Sequence, residues 1–153
     1  MASFRGVDRR FDFKIKTSRL VFLSDYAHHP AEIAQSVKSV RELYKDKKIT
    51  AIFQPHLYTR TRDFYKDFAD SLSLLDEVIL TEIYPAREQP IPGVSSRLIY
   101  DNLRPGIEKC ICPKEDILNL LSKKSVEVLI VLGAGDLDNY VPSITQLLEQ
   151  QSK

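Results

Sequence analysis

Little in this chain of 153 residues could build a disulfide framework, a metal cluster or a membrane anchor. There are two cysteines, three histidines and five glycines. Cys110 and Cys112 flank Ile111 in a segment that reads as a strand. Their side chains are expected on opposite faces, where they would not easily bridge, so the expectation is a pair of reduced thiols in a cytosolic setting. No cysteine and histidine grouping has zinc spacing, and no metal site is expected. The first residues, Met-Ala-Ser-Phe-Arg-Gly-Val-Asp-Arg-Arg, lack the apolar stretch of a signal peptide, and no run approaches the roughly 18 apolar residues of a membrane helix. A soluble protein is expected. Charge of one sign is missing too. Lys plus Arg total 22 against 21 for Asp plus Glu, and a net charge of +1 gives no general attraction to nucleic acid or to an acidic membrane. Any anion site has to be local.

What is present is an alternation. Hydrophobic residues make up 43% of the chain, enough for the core of one domain, and short β-branched runs alternate with amphipathic stretches. The runs 20–24, 49–53, 77–83, 107–112 and 126–132 read as strands, with a further strand over 11–15. Helices are expected over 30–44, 61–75, 95–103, 114–124 and 140–150. Alternating β and α elements predict a Rossmann-like three-layer α/β domain over residues 1–153, a mostly parallel sheet of about six strands with helices on both faces. In such sheets ligands bind outside the carboxyl ends of the strands.

All three histidines fall in two motifs at such ends, Ser24-Asp25-Tyr26-Ala27-His28-His29-Pro30 and Phe53-Gln54-Pro55-His56-Leu57-Tyr58-Thr59-Arg60-Thr61-Arg62. In the first, Asp25 can accept hydroxyl bonds from a ribose, Tyr26 offers a flat face to a base, and His28 and His29 approach a helix start that favours phosphate oxygens. The same residues could instead serve only as helix caps. In the second, His56, Arg60 and Arg62 project from a strand-to-helix loop as an anion receiver, since the guanidinium fork matches carboxylate and phosphate. A solvated charge cluster is the other reading. Gly133-Ala134-Gly135-Asp136 lacks the third glycine of a dinucleotide fingerprint and follows the last strand, so a tight turn with Asp136 as a cap is expected. No P-loop lysine motif occurs. The proline-rich loop 84–93 is long enough to carry function.

The strings Asp-Tyr-Ala-His-His-Pro-Ala-Glu-Ile, Phe-Gln-Pro-His-Leu-Tyr-Thr-Arg-Thr-Arg-Asp-Phe and Ile-Tyr-Pro-Ala-Arg-Glu-Gln-Pro-Ile-Pro-Gly-Val-Ser-Ser, in that order, resemble the carboxyl-terminal domain of the Mur ligases. The likeness runs from Gly6-Val7-Asp8-Arg9-Arg10-Phe11 to the glycine turn and is strongest to the L-alanine-adding branch. It implies an ATP- and Mg2+-dependent, cytoplasmic, bacterial ligase of peptidoglycan synthesis. Such an enzyme joins L-alanine to UDP-N-acetylmuramic acid through an acyl phosphate, and its other two domains hold most of the ATP and metal contacts. The related ligase that reattaches a recovered tripeptide is the alternative, as is a stand-alone nucleotide-binding module; the abrupt start of the chain speaks against the module.

The resemblance also implies roles. Arg10 would reach the ATP phosphates and Asp25 would hold the adenosine ribose, while Tyr26 and His28 would line the nucleotide and acceptor side of the cleft. His56, Arg60 and, more weakly, Arg62 would lie near the amino acid and the reacting carboxylate. Of these, Arg10, His28, His56 and Arg60 are the candidates for catalysis. The chain departs from the pattern with Ser24 for an aspartate, Leu57 for an arginine, Arg87 for a glycine, and Leu137-Asp138 for Ile-Gly.

Overall fold

The computed structural model describes residues 12–133 and 135–151. Arg10 and Phe11 lie outside them. Six strands form one sheet: β1 (Asp12–Lys16), β2 (Val21–Asp25), β3 (Ile49–Phe53), β4 (Glu77–Leu80), β5 (Glu108–Ile111) and β6 (Val128–Leu132). Their spatial order is β1-β2-β6-β3-β4-β5, with every pair parallel except β1 against β2. Strands β2, β3, β4 and β6 are buried along their whole length, as expected of continuous apolar runs covered on both faces.

Side chains alternate across the sheet and so define two cores. On one face Leu23, Ala51, Phe53, Val78 and Ile130 pack in a cluster with Ile33, Val37 and Val40 of α1 (Pro30–Leu43). Phe68 and Leu72 of α2 (Tyr58–Leu72) and Ile99 of α3 (Arg97–Asn102) complete it. On the other, Phe22, Ile52, Ile79 and Leu129 meet α4 (Ile117–Ser122) and α5 (Val141–Gln151) through Ile117, Leu121, Ile144 and Leu148. The three-layer architecture is therefore as the alternation predicts. No helix among the described residues is long and apolar enough to cross a membrane.

Several boundaries differ from expectation for local reasons. β4 stops at Leu80 because its neighbours stop there as well: β3 pairs to it only as far as Phe53 and β5 only as far as Ile111. The first turn of the helix expected from Lys114 is a 3-10 turn, Lys114–Asp116. α2 begins at Tyr58 rather than at Thr61, which moves Arg60 from a loop onto a helix. The cysteine expectation is also corrected. Cys110 and Cys112 both pack on the α4–α5 side, while Ile111 is 38% exposed; residues two apart on a strand share a face. Both thiols are free, and burial pushes that of Cys112 up to about 11, where it has little thiolate character.

Candidate functional site

The sheet order creates the place for a site. β6 lies between β2 and β3, with Asp25, Leu132 and Phe53 in register at the three carboxyl ends. The helices that follow β2 and β3 cover one face, and α5 after β6 covers the other, so the exiting chains part above these ends. The loops after β2 and β3 converge there with the loop after β4. His28 and His56 meet edge to face at 5.6 Å between ring centroids, and Tyr84 stacks on the other side of His56 at 5.6 Å and 16°. Tyr26 lies edge-on to His28 at 6.4 Å.

Hydrogen bonding assigns the histidine tautomers. Arginine has no acceptor, so the 3.2 Å contact between an Arg60 Nη and His56 Nδ1 is a guanidinium N–H donating to the ring; neutral His56 then carries its proton on Nε2. His28 Nδ1 lies 3.2 Å from the Tyr26 carbonyl, which can only accept, so Nδ1 bears the hydrogen and Nε2 of the neutral ring is an acceptor. Burial, reinforced by the Arg60 and His28 charges, lowers the His56 pKa and keeps the ring neutral; Glu88 opposes this weakly.

The adjacent histidines divide their labour. His29 is the N-cap of α1: its Nδ1 accepts from Ala31 N–H at 3.4 Å, and Glu32 accepts from its backbone N–H at 3.2 Å, a reciprocal capping box. Its ring packs on Phe64. His28 alone of the pair joins the cluster. Asp25 is 2% exposed: one carboxylate oxygen accepts from Ala27 N–H at 2.9 Å and the other from the Ser36 hydroxyl. Within the first motif the capping role falls to His29, while His28 turns its ring towards His56. Asp25 and Tyr26 border a cavity of about 160 Å³ shared with Asp12, Lys14, Gly133 and Asp138.

Arg62 is not brought in. It sits two residues past Arg60 on α2, about 200° around the helix, with a side chain 52% exposed and paired to Asp63 at 2.9 Å. Arg10 lies outside the described residues.

Sequence reasoning passed over three residues that build the site. Tyr84 stacks on His56 and forms with it a parallel bridge; the Tyr84 N–H donates to the Pro55 carbonyl at 2.8 Å and the Tyr84 carbonyl accepts from Leu57 N–H at 2.8 Å. Glu88 accepts from Tyr58 N–H at 2.6 Å, Thr59 N–H at 3.1 Å and the Thr59 hydroxyl at 2.5 Å. The Thr59 hydroxyl is the main reason its carboxyl is held below the usual range. Gln54 spans the glycine turn, donating to Asp136 at 2.7 Å and accepting from Leu137 N–H at 3.0 Å. Asp136 also receives Lys114 at 2.6 Å; although burial alone would raise its pKa, these partners hold it low. Asp136 therefore ties the turn to the residue that follows β3 and to the 3-10 turn that precedes α4. The length of loop 84–93 and the family-like string that runs through it were the signals pointing to Tyr84 and Glu88.

Fold and site together define a class. The chain belongs to the Mur ligase family: residues 9–137 match its "Mur ligase, glutamate ligase domain". It is 78% identical over 151 residues to the UDP-N-acetylmuramate–L-alanine ligase of Phocaeicola vulgatus and 56% identical to that of Parabacteroides distasonis. It covers 99% of itself in both alignments and 33% and 32% of those relatives, about one third of their length. Among solved structures, the UDP-N-acetylmuramate-alanine ligase of Thermotoga maritima superposes with a TM-score of 0.75 at 30% identity, over 99% of this chain and 32% of that one. The murein peptide ligase of Psychrobacter arcticus gives 0.72 at 17% identity, over 92% of this chain and 30% of that one, a likeness of fold.

Proposed function

We propose that this chain is the carboxyl-terminal domain of a ligase that joins L-alanine to UDP-N-acetylmuramic acid at the expense of ATP. The relatives at 78% and 56% identity both carry that activity in their names, which favours L-alanine over a recovered tripeptide as acceptor. The observation that carries the reading is the His28–His56–Arg60 cluster, because its polarity suits an amino acid. Arg60 and the Nε2–H of His56 face a carboxylate with two kinds of donor, and His28 Nε2 offers a lone pair to the amine that must lose a proton before it attacks. Neutral His56 matters here, since a protonated ring would take its Nδ1 away from Arg60.

Among the described residues no group of three or more His, Cys, Asp or Glu could hold a metal ion, and the Mg2+ of the reaction is assigned mainly to the rest of the ligase. ATP, when bound, supplies the phosphoryl group that activates the acceptor carboxylate. Asp25 and Tyr26 are the residues assigned here to its nucleoside, a reading supported by the cavity that they line. Lacking a P-loop lysine motif, the chain alone turns nothing over.

The test is a chimera in which this chain replaces the matching third of the Phocaeicola vulgatus enzyme. L-alanine-dependent ADP release with UDP-N-acetylmuramate is expected from the chimera and none from the chain alone. A chimera that folds yet prefers a tripeptide, or a lone chain that forms product, would overturn the proposal.

A further inference from the structure

α2 starts badly by itself. Its N-cap is Leu57, a residue with no side-chain acceptor, held at φ 75° and ψ 137°, a region almost reserved for glycine. The first N–H groups of a helix need acceptors, and an apolar N-cap provides none. Yet this turn places the chemistry, with His56 just before the strained residue and Arg60 in the first turn after it.

Two contacts from the proline-rich loop hold the strained turn. Tyr84 brackets it on the strand side, bonding Pro55 and Leu57 through its backbone and stacking its ring on His56. Glu88 holds the helix side, supplying from 30 residues away the acceptor that Leu57 lacks. Thr61 adds a local bond, its hydroxyl donating to the Leu57 carbonyl at 2.9 Å. Glu88 makes no hydrogen bond to His56 or Arg60; apart from the weak pull of its charge on His56, it acts on them through the backbone. We infer that Glu88 is the positioning residue of the His56–Arg60 pair, the remote N-cap that fixes the angle at which α2 presents Arg60 to the His56 ring.

Two variants separate this role from simple stabilisation. Glu88→Gln keeps an acceptor oxygen for the two amides; Glu88→Ala removes it. In the chain alone, the 15N resonances of His56 are expected to report a single Nε2–H tautomer in the wild type and in Glu88→Gln, and a mixture of tautomers in Glu88→Ala as Arg60 leaves Nδ1. The kinetic half rests on the ligase reading. In the chimera, Glu88→Ala is expected to raise KM for L-alanine roughly ten- to a hundred-fold, the scale on which a misplaced group costs, and Glu88→Gln to recover most of it, with KM for ATP unmoved. A folded Glu88→Ala variant with an unchanged His56 tautomer and an unchanged KM for L-alanine would overturn the inference. A wild-type chimera without L-alanine-dependent activity would count against the ligase reading alone, and the tautomer measurement would still decide the role of Glu88.

Discussion

His56 is where the electrostatics of this protein concentrate. Half-buried beside Tyr84 and His28 and facing a guanidinium, it is held below the ordinary histidine pKa of about 6.5. The consequence has a sign. A lowered folded-state pKa means that the unfolded chain binds more protons below about 6.5, so stability falls as the pH drops from there towards the folded-state value. Protonation also ends the acceptance of the Arg60 bond at Nδ1. Denaturant titrations of the chain should therefore show stability declining below pH 6.5, and His56→Asn should flatten that part of the profile. An equal decline in the variant would assign it to other groups. Glu88, Asp76 and Asp136, whose carboxyl pKa values are lowered, withdraw their stabilisation at still lower pH, below the ordinary carboxylate range.

Loops, more than regular elements, shape the cleft. The turn after β6 lies directly beneath Tyr84: a Cβ at Gly135 would stand 2.5 Å from Gln54 Oε1, 2.7 Å from Tyr84 Cγ and 2.8 Å from Tyr84 Cβ. Gln54 cannot swing away cheaply, because both ends of its amide are bonded. This glycine is required by close approach, since its φ of −95° suits any residue. Gly135→Ala should cost about 1–3 kcal/mol, the usual range for overpacking, and should displace the Tyr84 ring from His56. Thermal melts measure the first effect and the His56 ring shifts the second; a variant as stable as the wild type with unmoved shifts would contradict the packing argument.

The whole molecule is held at its other end by a buried carboxylate. Glu77 opens β4 with a side chain 5% exposed, receiving Lys124 at 2.6 Å, Lys48 at 3.6 Å and the Thr50 hydroxyl at 3.1 Å. These partners come from β3, from the segment that precedes it and from the segment after α4, so one side chain ties together pieces distant in sequence. Replacing it leaves two partly exposed lysines that water can still reach, which moderates the loss. Glu77→Ala should lower the unfolding free energy by about 1–3 kcal/mol, as for hydrogen bonds to charged groups, and leave the His56 tautomer unchanged at the opposite edge of the sheet. A change in that tautomer would show that the two edges are coupled.

The alternation of apolar runs with amphipathic stretches was enough for the layers and the strand count, because side-chain period and burial are local consequences of strand and helix geometry. The motifs likewise placed His28, His56 and Arg60 at strand ends. Only the tertiary structure decided which neighbours count. His28 enters the site while His29 caps α1, and Arg60 faces His56 while Arg62, half a turn away, pairs with Asp63. Tyr84 and Glu88 become site residues because the loop after β4 folds back onto the start of α2. Such pairings join residues tens of positions apart, and no local pattern encodes them. The sequence by itself determined the scaffold and the candidates; long-range packing selected among them and supplied the residues that hold them in place.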